Sequence, residues 1–126
     1  MARVAVRGTW GTTEWAEAAN GQEPAFDFFQ TLDASGQAKV LALFQRLAET
    51  GRITNVEKFK SLGEQGLGLL EFKSFQVRLI GDFRPGKRFI VAHGLRKKKD
   101  ELDAADIAVA ARIMKENDQR EKGRQR

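Results

Sequence analysis

An apolar stripe at helical spacing lies in the N-terminal half of the chain. The stripe falls at positions i, i+3, i+4 and i+7, occupied by Val40, Leu43, Phe44 and Leu47. Ser35 can cap the start of this helix, and Gly51 follows its last turn as a stop signal. Pro24 can begin a shorter preceding helix, because a first helical position needs no N–H. The sequence therefore predicts a helical hairpin that buries its apolar faces against a sheet.

Period-two alternation of apolar and polar residues predicts strands elsewhere. One short strand is expected over 3–7, and three more over 68–73, 75–83 and 88–93. The last two strands are joined by a tight turn over 84–87 that contains Pro85 and Gly86. Short connections between successive strands favour antiparallel pairing. Two segments are expected to be irregular: 9–23, a loop with at most one helical turn, and 56–62, a connection.

Alternation along 75–83 divides the residues of that strand between two faces. One face is predicted to carry Phe75, Val77, Leu79, Gly81 and Phe83, and the other Gln76, Arg78, Ile80, Asp82 and Arg84. A last helix is expected after Asp103, with an apolar stripe formed by Ile107, Ala110, Ala111 and Met114. Beyond residue 115 the chain turns polar, and we expect it to fray.

These elements predict an α+β fold. An N-terminal strand and a two-helix hairpin would pack on a small, mainly antiparallel sheet, with a helix at the C-terminal end. We expect one domain over 1–126, with a core over about 25–115 and a polar tail over 116–126.

Composition narrows the chemistry. The chain has 126 residues, no cysteine and one histidine, so thiolate chemistry and multi-histidine zinc sites are excluded, and no metal or cofactor is expected. No apolar run approaches the roughly 20 residues that span a bilayer, and the first residues lack the apolar stretch of a signal peptide. A cytoplasmic protein without a membrane partner is the expectation.

Positive charge is concentrated in the predicted sheet. Up to Leu70 the chain has seven basic and eight acidic residues, and after it fifteen and nine. Between Lys73 and Lys99 nine basic residues accompany one acid, Asp82. This asymmetry favours a polyanionic partner, and nucleic acid is the leading candidate. A basic surface without a ligand is the alternative.

No familiar nucleotide-binding loop or catalytic triad is visible, because the Gly63 to Gly68 segment lacks the Lys-Ser/Thr pair of a P-loop. Four features remain: Arg78 within a strand, Lys73 at a strand end, His93 before a glycine, and a basic run over 96–99. Together they are typical of a phosphodiester site without metal. The 2′-hydroxyl of RNA is itself a nucleophile, and arginine and lysine stabilise the charge that develops on the phosphate.

The order of these motifs resembles the phage-derived branch of the RelE/HigB toxins. The matching segments are Leu70-Glu71-Phe72-Lys73, Val77-Arg78-Leu79-Ile80 and Phe89-Ile90-Val91-Ala92-His93-Gly94-Leu95-Arg96-Lys97-Lys98, followed by a helix. The resemblance covers roughly 25–115 and implies a RelE-like fold. It also implies the toxin of a type II toxin–antitoxin pair, a ribosome-dependent mRNA endoribonuclease whose partner is an antitoxin, often a helix-turn-helix DNA-binding protein.

The resemblance also implies roles for individual residues. Arg78 would clamp the phosphate in the transition state, and Lys73 would share that role. Lys97 and Lys98 would hold phosphates or assist proton transfer, and His93 is a candidate for the proton-transfer step. Contacts to RNA or the ribosome are expected from five further cations: Arg84, Lys87, Arg88, Arg96 and Lys99.

The sequence departs from the family pattern at some positions, and two of the candidate residues also have a purely structural explanation. Val77 and Leu95 stand where the family usually has aromatic residues, and 9–23 has no clear counterpart, so it could be an insertion that shapes antitoxin binding. Arg78 could simply pair with Glu71 on the neighbouring strand. His93 is in phase with Phe89 and Val91, which favours a packed sheet histidine.

Two other functions remain possible at this point. ParE-like toxins share the fold but inhibit DNA gyrase, and a binding protein for RNA or the ribosome would need no catalysis. The nuclease hypothesis predicts that Arg78→Ala abolishes toxicity while stability stays within the range of a surface substitution.

Overall fold

The computed structural model describes residues 2–97 and 102–124. Six strands, three α-helices and one 3₁₀ turn make up the described chain. In chain order they are β1 (Arg3–Arg7), β2 (Thr12–Trp15), α1 (Pro24–Gln30), α2 (Ala34–Thr50), β3 (Phe59–Ser61), the 3₁₀ turn (Glu64–Gly66), β4 (Leu70–Ser74), β5 (Val77–Arg84), β6 (Arg88–Arg96) and α3 (Ala104–Arg124).

The strands form one sheet in the order β1-β2-β6-β5-β4-β3. All neighbouring strands are antiparallel except β2 and β6, which run parallel, with Thr12 opposite Arg88 and Trp15 opposite Val91. The α+β class and the mainly antiparallel sheet predicted from the sequence are therefore confirmed.

Two segments expected to be irregular contribute strands. Residues 9–23 contain β2, which lies between β1 and β6 instead of forming a loop, and 56–62 contain β3 at the opposite edge of the sheet. Trp15 of β2 is 2% exposed and packs against the rings of Phe26, Phe29 and Phe44. The tryptophan is thus a core residue, and it ties the N-terminal segment to the helices.

Helices α1 and α2 cover one face of the sheet. The predicted stripe of α2 is buried in full, and Gly51 ends the helix in the left-handed conformation with φ 77°, as predicted. The cap differs from the prediction: Asp33, not Ser35, lies before the helix and accepts a hydrogen bond from the Gly36 N–H. Beneath these helices the rings of Phe44, Phe59, Phe72 and Phe89 form the centre of the larger apolar core.

Helix α3 covers the other face. It begins directly after Asp103 and packs against β5 and β6, where Ala110, Ile113 and Met114 are buried with Ile80 and Ile90. The expected fraying beyond residue 115 is wrong, because the helix continues to Arg124. Salt bridges hold this polar extension to the sheet: Arg84 pairs with Asp118, and Arg88 pairs with Glu121. Over the described ranges 2–97 and 102–124, no helix is long and apolar enough to cross a membrane.

Candidate functional site

Charged side chains converge on the face of the sheet that α3 covers. Lys73 of β4 lies directly opposite Arg78 of β5, and Glu71 lies opposite Ile80, so their side chains emerge on the same face. Glu71, Lys73 and Arg78 expose only 0%, 9% and 3% of their surfaces. Charged residues are almost never buried to this degree unless they interact with one another. The three side chains are therefore the buried base of the candidate site.

The Arg78 guanidinium is held at this position from two directions. Its Nη1 donates hydrogen bonds to the backbone carbonyls of Phe75, in the preceding turn, and Val77, the first residue of β5. Its Nε lies 3.6 Å from Glu71 Oε2, and Lys60 Nζ lies 3.9 Å from the other Glu71 oxygen. The pairing of Arg78 with Glu71, raised as an alternative from the sequence, is thus present. Because the arginine is 3% exposed, we now expect Arg78→Ala to cost more stability than a surface substitution does.

A β-bulge brings His93 to the same face. Ile80 pairs with His93 but the next residue, Gly81, pairs with Val91, so the register of β5 and β6 shifts by one residue at Ala92. His93 is consequently out of phase with Val91 and Phe89, and the alternation inferred from the sequence is wrong. Its Nε2 lies 3.1 Å from Asp106 Oδ1 on α3. Diagonal neighbours in a sheet are about 7 Å apart, which places His93 close to Arg78.

The end of β6 adds a lysine to this group. Lys97 donates its backbone N–H to the carbonyl of Gln76, and its Nζ lies 2.8 Å from Asp103 at the start of α3. The Lys97 side chain is 17% exposed and that of His93 is 18% exposed, so both reach solvent. A hollow of about 230 Å³ opens beside Glu71 and is bordered by Lys60, Leu62, Gln65, Gly66, Leu102 and Ile107. Lys98 and Lys99 lie outside the described residues.

The site therefore has two layers. Arg78, Lys73 and Glu71 form the buried layer, and His93 and Lys97 form the accessible one. With the Nε2–H of His93 donated to Asp106, the ring nitrogen Nδ1 is the one that can accept a proton. The accessible layer can move a proton and bind an anion, and the buried layer can supply positive potential beneath it.

Three of the predicted RNA contacts lie at the other end of the sheet. Arg84 and Arg88 pair with each other beside the β5–β6 turn. Arg84 is six residues from Arg78 along β5, a distance of about 20 Å at the usual rise of a strand. Arg84 binds Asp118 and Asp82, and Arg88 binds Glu14 and Glu121. Lys87 is exposed in the turn itself. The structure groups Arg84 and Arg88 with α3, so it does not bring them together with Arg78.

The Arg88 cluster predicts a specific loss of stability in acid. Burial of the Glu121 carboxylate raises its pKa, but hydrogen bonds from Arg88 and from the Ala2 N–H offset this, and the pKa lies below its ordinary value of 4.5. A carboxyl group with a lowered folded pKa stabilises the protein above its unfolded pKa, and this stability is lost as the pH falls. We expect Glu121→Gln to cost about 1 kcal/mol at pH 7. The difference from wild type should shrink below pH 4.5.

Urea unfolding of both proteins across the acidic range measures this difference. A matched control is Glu57→Gln, which removes an exposed carboxylate from the connection before β3. A cost of Glu121→Gln that stays constant from neutral pH into acid would contradict the role of its ionised form.

The sequence missed one conspicuous residue of this region. Phe75 was predicted to start a strand and to share a face with Val77 and Leu79, but it lies in the turn between β4 and β5. It is 74% exposed and has a φ of 55°. Neighbouring Arg96, a predicted RNA contact, is also exposed and borders the hollow beside this turn. The only sign of this turn in the sequence was Ser74, which separates the predicted strands 68–73 and 75–83 and lies one residue before Phe75.

The fold and this group of residues define an α+β protein with the arrangement of a RelE-like toxin, whose sheet carries a cationic site beneath its last helix. The family described as phage-derived protein Gp49-like (DUF891) matches residues 27–115. The chain belongs to this Gp49-like family, a group related to the RelE toxins. No curated protein matches the chain.

Proposed function

We propose that the protein is the toxin of a type II toxin–antitoxin pair and that it cleaves mRNA on the ribosome. The observation that carries the proposal is that Lys73, Arg78 and His93 share one face of a toxin-like fold. Lys97 lies at the end of β6, bound to Gln76 in the β4–β5 turn and to Asp103 before α3. An antitoxin partner follows from the family's toxin-like character, and a helix-turn-helix protein is the expected kind.

The chemistry proposed for this site is attack by the RNA 2′-oxygen on the adjacent phosphorus. A new oxygen–phosphorus bond closes a cyclic phosphate, and the bond to the 5′-oxygen of the next nucleotide breaks. His93, oriented by Asp106, accepts the proton of the 2′-hydroxyl, and Lys97 donates a proton to the leaving oxygen or holds the phosphate. Lys73 and Arg78 stabilise the added negative charge from the buried layer.

A role for Lys97 requires exchange of its partner. Its ammonium group is paired with Asp103, whose side chain is 69% exposed. Because the carboxylate faces solvent, screening weakens the pair, and an RNA phosphate can displace the carboxylate. Lys98 stays a predicted residue for holding phosphates or assisting proton transfer, and Lys99, Arg84, Lys87 and Arg88 stay predicted contacts.

Mapping of 5′ ends in cellular mRNA after brief induction tests this proposal. We expect wild type to produce new ends, and His93→Gln and Lys97→Gln to lose roughly 10²- to 10⁴-fold in cleavage, the usual contribution of a positioned acid or base. Arg78→Lys keeps a cation beside Glu71 but lacks the planar fork that binds a phosphate, so it should also be impaired.

The matched control is Arg112→Gln, which removes a cation with a 59% exposed side chain from the outer surface of α3. Its cleavage should equal that of wild type. Intact mRNA with growth arrest and gyrase-dependent DNA breaks would contradict the nuclease and select a ParE-like inhibitor. Intact mRNA with ribosome binding alone would select a non-catalytic binding protein. Repeating the assay with purified ribosomes and naked mRNA shows whether cleavage requires the ribosome.

A further inference from the structure

The turn between β4 and β5 presents an aromatic ring to solvent at an unusual backbone position. Ser74 pairs with Val77, so Phe75 and Gln76 form a two-residue hairpin loop. Phe75 has a φ of 55°, which glycine adopts easily and a bulky residue rarely does. The ring belongs to neither apolar core of the described residues and is 74% exposed. The fold therefore gains little packing from phenylalanine at this position.

Cations surround the ring. Lys39 Nζ lies 4.3 Å and Lys58 Nζ 5.7 Å from its centroid. Two hollows flank Phe75, one of about 350 Å³ bordered by Lys39 and Arg96, and one of about 290 Å³ bordered by Lys39, Arg46 and Lys58. Within the described chain, none of these four cations pairs with a carboxylate, in contrast to Arg84 and Arg88.

Negative charge at this surface is sparse. Asp33 is the single carboxylate that borders either hollow among the described residues, and its Oδ1 accepts the N–H of Gly36 as the cap of α2. Four cations with one carboxylate around an exposed aromatic face are complementary to a polyanion that carries aromatic groups. Single-stranded RNA has both properties, because its phosphates are anionic and its unpaired bases expose their faces.

We infer that Phe75 is a platform on which an unpaired RNA base stacks, with Lys39, Lys58, Arg46 and Arg96 holding the adjacent phosphates. This inference rests on the proposed function and names a binding site for its substrate. A lysine on a flexible stem can leave the ring for a phosphate as the base arrives, because an exposed cation–π contact is weak. The resulting stack is sequence-tolerant, since every base has a π-face.

The platform is joined to the candidate catalytic residues. The Phe75 carbonyl accepts a hydrogen bond from Arg78, and the Gln76 carbonyl accepts one from the backbone of Lys97. Both central residues of the turn are therefore bound to residues of the proposed site. A base stacked on Phe75 would deliver its neighbouring phosphate to the end of the sheet where Lys73 and Lys97 lie.

Fluorescence anisotropy with a labelled single-stranded RNA of about ten nucleotides measures the predicted stack. We expect Phe75→Ala to weaken binding roughly five- to a hundred-fold, Phe75→Leu to weaken it as much, and Phe75→Trp to retain it. The matched control is Leu67→Ala, because Leu67 is 63% exposed with a φ of 58°, close to the values of Phe75, but has no aromatic ring. That variant should bind as wild type does, and duplex RNA of the same sequence should be insensitive to Phe75→Ala.

The salt dependence of binding tests the phosphate-binding cations separately. Removal of one such cation should reduce the slope of log affinity against log salt by about 0.7 for a single strand, so Lys39→Gln and Lys58→Gln should each flatten it. Lys115→Gln, at an exposed position of α3, should leave the slope unchanged.

Three results would overturn the platform. The first is equal RNA binding by wild type and Phe75→Ala, and the second is equal RNA binding by wild type and Phe75→Leu. The third is a Phe75→Ala variant that binds RNA normally but is no longer neutralised by the antitoxin, which would assign the turn to a protein partner. The nuclease proposal is tested independently. If wild type cleaves mRNA but RNA binding does not depend on Phe75, only the platform is contradicted. If RNA binding depends on Phe75 but no cleavage occurs, only the nuclease proposal is contradicted.

Discussion

Replacing Arg78 with alanine is expected to lower the free energy of unfolding by about 3 kcal/mol, the range for breaking a buried ion pair. The guanidinium lies 3.6 Å from Glu71, whose side chain has no exposed surface. Without the arginine this carboxylate stays buried with less positive charge beside it, and the Phe75 and Val77 carbonyls lose a donor. Lys60, 3.9 Å from Glu71, remains and keeps the cost near the lower end of the range. Urea unfolding measures the change.

A second substitution separates charge burial from other causes. Adding Glu71→Gln to Arg78→Ala should recover part of the lost stability, since a neutral amide is less costly to bury than a carboxylate. Arg112→Ala, which breaks an exposed ion pair with Glu116, should cost less than about 0.5 kcal/mol. A cost of Arg78→Ala as small as that of Arg112→Ala would show that the buried pair contributes nothing. Loss of activity in Arg78→Ala alone is consequently no measure of catalysis, which is why Arg78→Lys is the functional variant.

Phe72→Ala is expected to lower the free energy of unfolding by about 3–5 kcal/mol, the usual cost of removing a buried phenylalanine ring. Phe72 is 1% exposed, and its ring centroid lies 4.8 Å from that of Phe59, 5.0 Å from that of Phe44 and 5.3 Å from that of Phe89. The cavity would open between α2 and three strands, where the surrounding rings cannot easily collapse. Thermal and urea unfolding test this, against a total stability of roughly 5–15 kcal/mol for a typical domain.

Phe75→Gly is the matched control for this substitution. The two phenylalanines are three positions apart in one hairpin, but only Phe72 is buried. Phe75→Gly removes a side chain from the left-handed region, where a bulky residue costs about 1–3 kcal/mol, so it should leave stability unchanged or raise it. If both variants destabilised the protein equally, the ring of Phe75 would belong to the core and the platform would lose its basis.

Local patterns predicted much of this fold. The stripe of α2, its stop at Gly51, the first strand at Arg3–Arg7 and the tight turn over 84–87 all depend on residues that are neighbours in the sequence, and all are confirmed. Periodicity suffices for such elements because burial of one face selects one repeat. The helical structure of the polar end of α3 was not predicted, because it depends on contacts between residues distant in the sequence. Arg84 and Arg88 of the sheet form salt bridges to it.

The site was predictable in composition but not in geometry. Lys73, Arg78, His93 and Lys97 were identified from their order. The structure brings the first three to one face and places Lys97 at the end of β6 beside Asp103. Their depth was not predictable, because burial depends on α3 packing across the strands. The orientation of His93 depends on one extra residue at Ala92, and a one-residue shift of register moves a side chain to the other face. The exposure of Phe75 follows from a turn that begins one residue later than expected.

The parallel pairing of β2 with β6 has a consequence for the order of assembly during synthesis. Because β2 is the only link between β1 and the rest of the described sheet, these two strands can pack on α1 and α2 but cannot join the sheet until β6 has been synthesised. Such long-range pairing is closed late, after the loop entropy of the intervening chain has been overcome. His93 and Lys97 belong to the same late segment, so the strand that completes the sheet also completes the candidate site.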